Sequence, residues 1–357
     1  MRERTSLGVA LIVAAAIVAV PWASSISAPG PPPGAAGDFP PGAIKQFPGR
    51  LPDGSSYSIR SILDESSTVG VATQPNVSAL RVVVVSGEKV TDLHSVGLRL
   101  GPLFDGFIRY DGQLYWTETT QADDGVDRTE LWAADLSLDP PAARLVATLG
   151  AARTYHSRYD IIVADGTVSW TALGGIEDPQ TVVRSMPLPG GPVTESVVNG
   201  IWRQIDRPWL VTVGSPTMLL NQSTGDRITV PGSDLAPTTC LPDWCRVTVA
   251  IGEAAVRLEL VAPDGSGRSR IAGPDTYFAT VDPAILGRYE ILAQPGDLPW
   301  DQQRLLLYDS VKDTTGQLEI ALSTQTDSRD GWVWWKTADW TTNPVWHALN
   351  LNILNPS

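Results

Sequence analysis

Hydrophobic and polar positions along this chain follow the pattern of short β-strands separated by turns. Asp111-Gly112 begins a strand of alternating large and small residues that runs to Thr117, and Asp165-Gly166 begins a second, similar strand. A weaker copy begins at Asp330-Gly331, and helical periodicity is nearly absent beyond the N-terminus. An Asp-Gly turn that leads several times into an alternating strand predicts repeated small antiparallel sheets.

Seven pairs of strand-like segments follow one another, and turn residues separate the pairs. The pairs are 69–73 with 80–86, 113–118 with 130–138, 167–172 with 181–188, 208–214 with 217–225, 244–250 with 256–264, 288–294 with 303–309, and 332–337 with 345–352. Over residues 55–357 they recur about every 43 residues, the spacing of a four-stranded propeller blade. We therefore predict an all-β protein, a β-propeller of about seven four-stranded blades, with six or eight blades as alternatives.

The strands themselves favour a propeller over the main alternative, a β-sandwich of two packed sheets. Segments such as Val82–Val85 and Leu305–Leu307 lack polar alternation, as expected of strands that are covered on both faces. Packing sheets radially around an axis buries both faces of each sheet and leaves only short, protected edges. A sandwich would leave the recurring Asp-Gly strand starts unexplained.

One unit also carries a family resemblance. Leu114-Tyr115-Trp116-Thr117-Glu118, followed by Glu130-Leu131-Trp132-Ala133-Ala134-Asp135-Leu136, resembles one blade of the YWTD or TolB-like propeller repeats, of the exported type common in actinobacteria. The similarity is best in the unit at residues 106–148 and is also seen in the Asp165 unit. The resemblance implies a propeller architecture with binding surfaces, and it transfers no set of functional residues.

The N-terminal segment predicts export. Arg2 and Arg4 precede an apolar run from Leu7 to Val20, which is the layout of a secretory signal. Residues 1–28 are therefore predicted to be a hydrophobic helix that serves either as a cleaved signal peptide or as a single-span membrane anchor. Residues 29–54 are predicted to be a Pro/Gly-rich linker, and residues 55–357 the propeller. The domain is expected outside the cytoplasm, anchored in the membrane or secreted.

Composition narrows the chemistry further. A formal net charge of −13 argues against nucleic acid as a partner, since phosphates need a basic surface.

Cys240 and Cys245 are the only cysteines, and a close pair in an exported protein predicts a structural disulfide across a hairpin turn. No metal site is predicted, because His94, His156 and His347 are far apart and the segment 123–127 lacks the alternating ligands of a calcium loop. Because dinucleotide and phosphate loops and a Gly-x-Ser-x-Gly elbow are absent from the sequence, we predict no cofactor and no catalytic residue.

Candidate ligand-binding residues follow from the channel of a propeller, where ligands commonly bind at one mouth. Six residues precede or enter the innermost strands of two adjacent units, and together they supply aromatic, cationic and acidic groups: Tyr155, His156, Arg158, Trp202, Arg203 and Asp206. The C-terminal tryptophans are a second candidate set: Trp332, Trp334, Trp335, Trp340 and Trp346. They predict either closure of the ring by the last blade or an exposed aromatic face for a sugar or a protein.

From the sequence we expect a non-enzymatic, extracytoplasmic propeller that acts as a binding or scaffold module at the cell envelope. Its partner would be an unknown protein or carbohydrate, and the chain would be monomeric and would contact the membrane through the N-terminal segment if that segment is uncleaved. The alternative is a carbohydrate-active hydrolase or lyase with channel carboxylates as acid and base. A third option is a sensor that reports through an uncleaved N-terminal span.

Overall fold

Seven four-stranded antiparallel sheets form the fold, and they are arranged as the blades of a propeller. The computed structural model describes residues 39–74, 78–121, 125–150, 152–155, 157–175, 179–188, 190–251, 256–294, 303–318, 323–337 and 344–354. The helical elements among these residues are two short 3-10 turns, Leu98–Leu100 and Leu351–Leu354. An all-β propeller with seven blades is therefore confirmed.

The first strand of the chain, β1 (Ile44–Pro48), belongs to the last blade, and the remaining strands follow in chain order. Blade 1 contains β2 (Ser56–Ile62), β3 (Ser67–Thr73), β4 (Ala79–Ser86) and β5 (Lys89–Gly97). Blade 2 contains β6 (Leu103–Tyr110), β7 (Gln113–Gln121), β8 (Asp127–Asp135) and β9 (Ala143–Gly150). Blade 3 contains β10 (Ile161–Ala164), β11 (Thr167–Gly175), β12 (Gln180–Pro187) and β13 (Thr194–Asn199).

The second half of the ring repeats this order. Blade 4 contains β14 (Trp202–Asp206), β15 (Trp209–Thr212), β16 (Met218–Asn221) and β17 (Arg227–Thr229). Blade 5 contains β18 (Thr238–Cys240), β19 (Cys245–Ala250), β20 (Val256–Val261) and β21 (Ser269–Ala272). Blade 6 contains β22 (Tyr277–Phe278), β23 (Tyr289–Gln294), β24 (Arg304–Asp309) and β25 (Thr314–Gln317). Blade 7 contains β26 (Ser323–Arg329), β27 (Trp332–Thr337), β28 (Val345–Asn350) and, at its outer edge, β1.

Strand β1 closes the ring by pairing with the other end of the chain. It runs antiparallel to β28, with Ile44 opposite Leu349 and Pro48 opposite Val345. The predicted linker of residues 29–54 therefore extends too far, because residues 44–48 form a strand of the propeller. The Pro/Gly content of this segment hid the strand, although an edge strand tolerates proline, which cannot donate to a ladder.

The seven predicted strand pairs are confirmed as the second and third strands of the seven blades. They correspond to β3–β4, β7–β8, β11–β12, β15–β16, β19–β20, β23–β24 and β27–β28. These central strands are packed by neighbouring blades on both faces, so their sequences are strongly apolar. In β24, for example, five of the six residues are buried.

The recurring Asp-Gly pairs form the tight turns between the first and second strands of blades 2, 3 and 7. Asp111, Asp165 and Asp330 have φ of 48°, 50° and 51°, and the glycine that follows each has a positive φ as well. Two consecutive residues with positive φ are the requirement of a type I′ hairpin, and Asp-Gly satisfies it with little strain. The turn prediction is confirmed at all three places.

Large aromatic side chains fill the spaces between blades. Phe47, Trp332, Trp334 and Trp346 are each 8% exposed or less and form one apolar cluster with residues of blade 1. The indole Nε1 of Trp346 donates a hydrogen bond of 2.9 Å to the carbonyl oxygen of Tyr57 in blade 1. Burial of these tryptophans supports ring closure over an exposed aromatic face; Trp335 is also buried, and Trp340 lies outside the described residues.

Two further predictions concern the chain's covalent and membrane features. Cys240 and Cys245 form a disulfide between the facing ends of β18 and β19, as predicted. The hydrophobic run of residues 1–28 lies outside the described residues. Among the residues that are described, no helix has the length and apolar character needed to cross a membrane.

Candidate functional site

Two adjoining cavities open at the channel end that carries the turns between first and second strands. Their volumes are about 370 and 320 Å³, and both are lined by Arg158, Asp206, Leu241, Arg329 and Asp330. These five shared residues define the channel-mouth site. Asp206 and Arg329 are the last residues of β14 and β26, and Leu241 directly follows β18. The first strand of each blade lies innermost, so the ends of these strands converge on the axis.

Arg158 reaches across the channel from the segment that precedes β10 of blade 3. Its guanidinium donates a hydrogen bond of 3.2 Å to the carbonyl oxygen of Ser328 in blade 7 and one of 2.7 Å to the hydroxyl of Tyr159. It also forms an ion pair with Asp282, and the Tyr159 hydroxyl donates to Asp282 Oδ1 at 2.7 Å. Blade 3 is opposite blades 6 and 7 in a ring of seven, so these bonds span the axis and form the floor of the site.

The position of Asp282 in the floor of the site is fixed by a buried arginine that binds the backbone of its segment. The Arg246 guanidinium, 4% exposed, donates to the carbonyl oxygens of Thr280 and Asp282 and forms a 2.6 Å ion pair with Glu290, which is fully buried. Glu290 Oε1 also accepts the backbone N–H of Ala284 at 2.5 Å. The segment from Thr280 to Ala284 is therefore fixed between blades 5 and 6, and it presents the Asp282 carboxylate to the channel.

Charge environments differ sharply between the arginines of the site. Burial opposes the charge of Arg158, but Asp282 and Tyr159 raise the pKa of Arg158 above its ordinary value. Burial and the like charge of Arg158 lower the pKa of Arg329 to about 10. Arg329 thus remains a cation at neutral pH, in surroundings that stabilise it poorly.

One carboxyl of the channel also has an altered environment. Burial raises the pKa of Asp327, and the nearby negative charge of Asp282 acts in the same direction. Asp327 Oδ1 accepts the backbone N–H of Ser328 at 2.8 Å, which partly opposes this effect. The channel therefore holds two unlike carboxyls, one paired with a cation and one buried beside it.

Apolar side chains complete the walls. Trp209, Leu241 and Trp244 line the larger cavity, and Ile108 and Ile205 line the smaller one. Four of the five are partly exposed, and Ile205 is 1% exposed. A site with charged groups at its floor and apolar walls resembles the usual composition of small-molecule pockets.

A further cavity of about 290 Å³ lies between blades 3 and 4, and its lining is mostly polar. Four of its polar side chains are paired with one another: Ser169 donates a hydrogen bond of 2.8 Å to Gln204 Oε1, and Ser185 and Thr194 share a hydrogen bond of 2.8 Å. Because these groups already have partners, the cavity offers little that would recognise a ligand, and the channel mouth is the better candidate.

The six residues predicted from the sequence are distributed over different places. Arg158 and Asp206 are brought together at the channel mouth. Trp202 is 2% exposed and donates from its indole to the carbonyl oxygen of Asn199 at 2.8 Å. Tyr155 donates to the carbonyl oxygen of Trp202 at 3.4 Å and lies within electrostatic range of Arg203. Tyr155, Trp202 and Arg203 do not line the channel-mouth site, His156 lies outside the described residues, and a ligand contact by any of the six stays a prediction.

Several residues that line the two cavities were not identified from the sequence, among them Tyr159, Asp282 and Arg329. Tyr159 and Asp282 are 123 positions apart and meet only through the ring. Arg329 had a usable signal, because it directly precedes the Asp330-Gly331 turn at the end of a first strand. Within the described residues, no group of three or more His, Cys, Asp or Glu side chains could hold a metal ion.

Several solved structures have folds similar to that of this chain. The uncharacterized protein lmo1340 from Listeria monocytogenes matches with TM-score 0.52 and 7% identity, over 83% of this chain and 94% of that one. A puromycin-hydrolyzing peptidase from Mycobacterium tuberculosis matches with TM-score 0.52 and 16% identity, over 84% of this chain and 55% of that one. TolB from Acinetobacter baumannii matches with TM-score 0.42 and 12% identity, over 74% and 66%.

These likenesses concern the fold alone, since the identities are low. The chain spans about half the length of the Mycobacterium tuberculosis peptidase. No protein-family model and no curated protein sequence matches the chain. The seven four-stranded blades themselves confirm the architecture that the TolB-like resemblance predicts.

Proposed function

We propose that this protein is an extracytoplasmic binding module at the cell envelope, and that its ligand binds at the channel-mouth site. The observation that carries the proposal is the site itself: two joined cavities with apolar walls and a floor of fixed charges. Its polar floor is rigid, because Arg158 and Asp282 are each held by several bonds. A pre-formed floor favours binding, since little side-chain freedom is lost when a ligand arrives.

The location is supported by the disulfide and by the N-terminal sequence. Cys240 and Cys245 are bonded, and disulfides persist mainly in oxidising compartments. The apolar run from Leu7 to Val20 has the layout of a secretory signal. Protease treatment of intact cells that express the full chain tests the location: the propeller should be cleaved or shaved without lysis, and full protection until lysis would contradict it.

Binding at the mouth is tested by narrowing it. Leu286 lines the larger cavity and is 40% exposed, so Leu286→Trp adds bulk at the rim with little risk to folding. Leu145→Trp is the matched control, because Leu145 is 47% exposed on the outer strand β9. Soluble envelope saccharides and peptides are screened by saturation-transfer NMR. We expect at least one component of the panel to bind the wild type and the control variant but not Leu286→Trp. Equal binding to Leu286→Trp and the wild type, or no binding by any component, would refute the proposal.

A carbohydrate-active enzyme is the second candidate, and Asp327 is the observation that favours it. A carboxyl whose pKa is raised by burial and by a nearby second carboxyl, as at Asp327, resembles the acid of the carboxyl pair used in glycoside hydrolysis. Against it, the Asp282 carboxylate is already occupied by Arg158 and Tyr159. Turnover of a glycoside panel that disappears in Asp327→Asn would favour the enzyme; absence of turnover in the wild type would remove it.

A further inference from the structure

Among the residues that the structure describes, Arg329 differs from the other arginines of the channel mouth in having no hydrogen-bond partner for its side chain. Its side chain is 10% exposed and lines both cavities. Within the described part of the chain its guanidinium forms one ion pair, in which Nε lies 3.8 Å from Asp330 Oδ2, too long for a hydrogen bond. Burying a cation without hydrogen bonds is unfavourable, so this fork of donors is suited to receiving an acceptor from a ligand.

Its two neighbouring arginines are differently placed. Arg158 is bonded to Asp282, Tyr159 and the carbonyl oxygen of Ser328. Arg207 is exposed, and its Nη1 donates 3.3 Å to the carbonyl oxygen of Ala164. Among the described residues, Arg329 is therefore the arginine of the site that is largely covered but has no hydrogen-bond acceptor, which makes it the natural anchor for an anionic group.

The rest of the lining limits how much negative charge a ligand can carry. The larger cavity has three arginines and four aspartates in its wall: Arg158, Arg207, Arg329, Asp206, Asp243, Asp282 and Asp330. The chain as a whole carries a formal net charge of −13. A doubly charged phosphate would be repelled by these carboxylates, whereas a single carboxylate can pair with one guanidinium in a planar, bidentate manner.

Apolar walls indicate the remainder of the ligand. Trp209, Leu241 and Trp244 line the same cavity as Arg329, and Ile205 lines the adjoining one. Aromatic and branched side chains favour an apolar or aromatic body over a strongly hydrated one. A volume of about 370 Å³ is near the lower end for small-molecule sites, which suits a compact ligand.

We infer that Arg329 binds the carboxylate of a compact, singly charged ligand whose apolar body packs against Trp209, Leu241 and Trp244. This inference rests on the proposed function, since it specifies what the same mouth binds. It places the charge of the ligand at the end of β26 and the apolar body towards blades 4 and 5, where the two tryptophans lie.

The test uses three probes that differ only in charge or head group, with the full chain purified in detergent. They are N-acetyl-L-phenylalanine, its neutral amide, and phenyl phosphate, and affinity is measured by titration calorimetry and saturation-transfer NMR. The carboxylate should bind at least tenfold more tightly than the amide and than the phosphate. This comparison needs no variant, so it stands even if a substitution harms folding.

Substitution then assigns the preference to Arg329. Arg329→Gln should remove the tenfold preference for the carboxylate and leave the weak binding of the amide unchanged. Arg144→Gln on the exposed outer strand β9 is the matched control and should behave as the wild type. Equal binding of carboxylate and amide, tighter binding of the phosphate, no carboxylate binding at all, or a preference that survives Arg329→Gln would each overturn the inference.

The outcomes also separate this inference from the proposed function. An envelope component that binds the wild type but not Leu286→Trp, and that binds Arg329→Gln normally, would keep the mouth as a binding site and refute the carboxylate anchor. Failure of both the probes and the envelope panel would refute both.

Discussion

Replacing Arg246 by methionine should destabilise the whole propeller, because this side chain neutralises a carboxylate that has no access to water. Arg246 is 4% exposed and Glu290 is fully buried, and two bonds of 2.6 and 2.9 Å join the guanidinium to Glu290 Oε2. The Arg246→Met variant would leave Glu290 without a counter-ion between blades 5 and 6. The carbonyl oxygens of Thr280 and Asp282 would lose their donor as well.

Removing one partner of a buried ion pair typically lowers the free energy of unfolding by about 3–5 kcal/mol. For a domain of about 300 residues, that loss corresponds to a melting temperature lower by about 5–8 °C. Urea unfolding followed by tryptophan fluorescence measures the loss directly. Arg184→Met is the matched control, since Arg184 and Glu195 form an exposed pair at 2.8 Å whose loss should amount to about 1 kcal/mol or less.

A double substitution distinguishes the electrostatic explanation from simple loss of packing. Arg246→Met combined with Glu290→Leu removes both charges, so it should be more stable than Arg246→Met alone. Two results would refute the reasoning. One is a loss in Arg246→Met no larger than in Arg184→Met, and the other is a double variant whose loss equals the sum of the two single losses.

Three further predictions concern closure, acid stability and the disulfide. Phe47→Ala should lower the free energy of unfolding by about 3–5 kcal/mol, because Phe47 is 5% exposed in the closing strand; unchanged urea unfolding would contradict this. Burial alone would raise the pKa of Asp309, but hydrogen bonds from Arg288 hold this pKa below its ordinary value. The Asp309 carboxylate therefore stabilises the folded state at pH values above the unfolded pKa of about 4, and this stabilisation is lost as pH falls through the folded pKa. As pH is lowered from 6 to 3, the melting temperature should therefore fall less steeply in Asp309→Asn than in the wild type, and parallel curves would contradict this explanation. The double variant Cys240→Ser with Cys245→Ser should have a free energy of unfolding lower by about 2 kcal/mol than that of the oxidised wild type. The wild type with its disulfide reduced is the control, and its melting temperature should equal that of the double variant.

The central strands of every blade could be predicted because burial on both faces leaves a strong signal in the sequence. The innermost and outermost strands could not be predicted in the same way. β22 has only two residues, Tyr277 and Phe278, and β13 has five exposed residues among its six. Strand β1 was hidden within Pro/Gly-rich sequence, and it is defined by pairing with β28, some 300 positions away. Short length, exposure and distant pairing each remove the periodicity on which sequence prediction depends.

The candidate site was predicted only in part, for a related reason. Arg158 and Asp206 could be selected because they lie near the ends of innermost strands. Their partners come from far along the chain: Arg158 bonds to Ser328 at a separation of 170 positions. A linear sequence does not show which charges will face each other across a ring. The pairing of Arg158 with Asp282, and the lack of a hydrogen-bond acceptor for Arg329 within the described part of the chain, therefore required the structure.

The contacts link the stability of the ring to the chemistry of its mouth. The buried Arg246–Glu290 pair fixes the backbone at Asp282, and the Asp282 carboxylate then neutralises Arg158. Asp282 is bonded to Arg158 and Tyr159, whereas Arg329, which borders the same cavities, has among the described residues only the 3.8 Å ion pair with Asp330. The preference for carboxylate ligands that we propose for the channel-mouth site therefore depends on how the Asp282 carboxylate is held in blade 6. The ion-pair network places the Asp282 carboxylate beside Arg158. Arg329 is then the arginine that binds the carboxylate of the ligand.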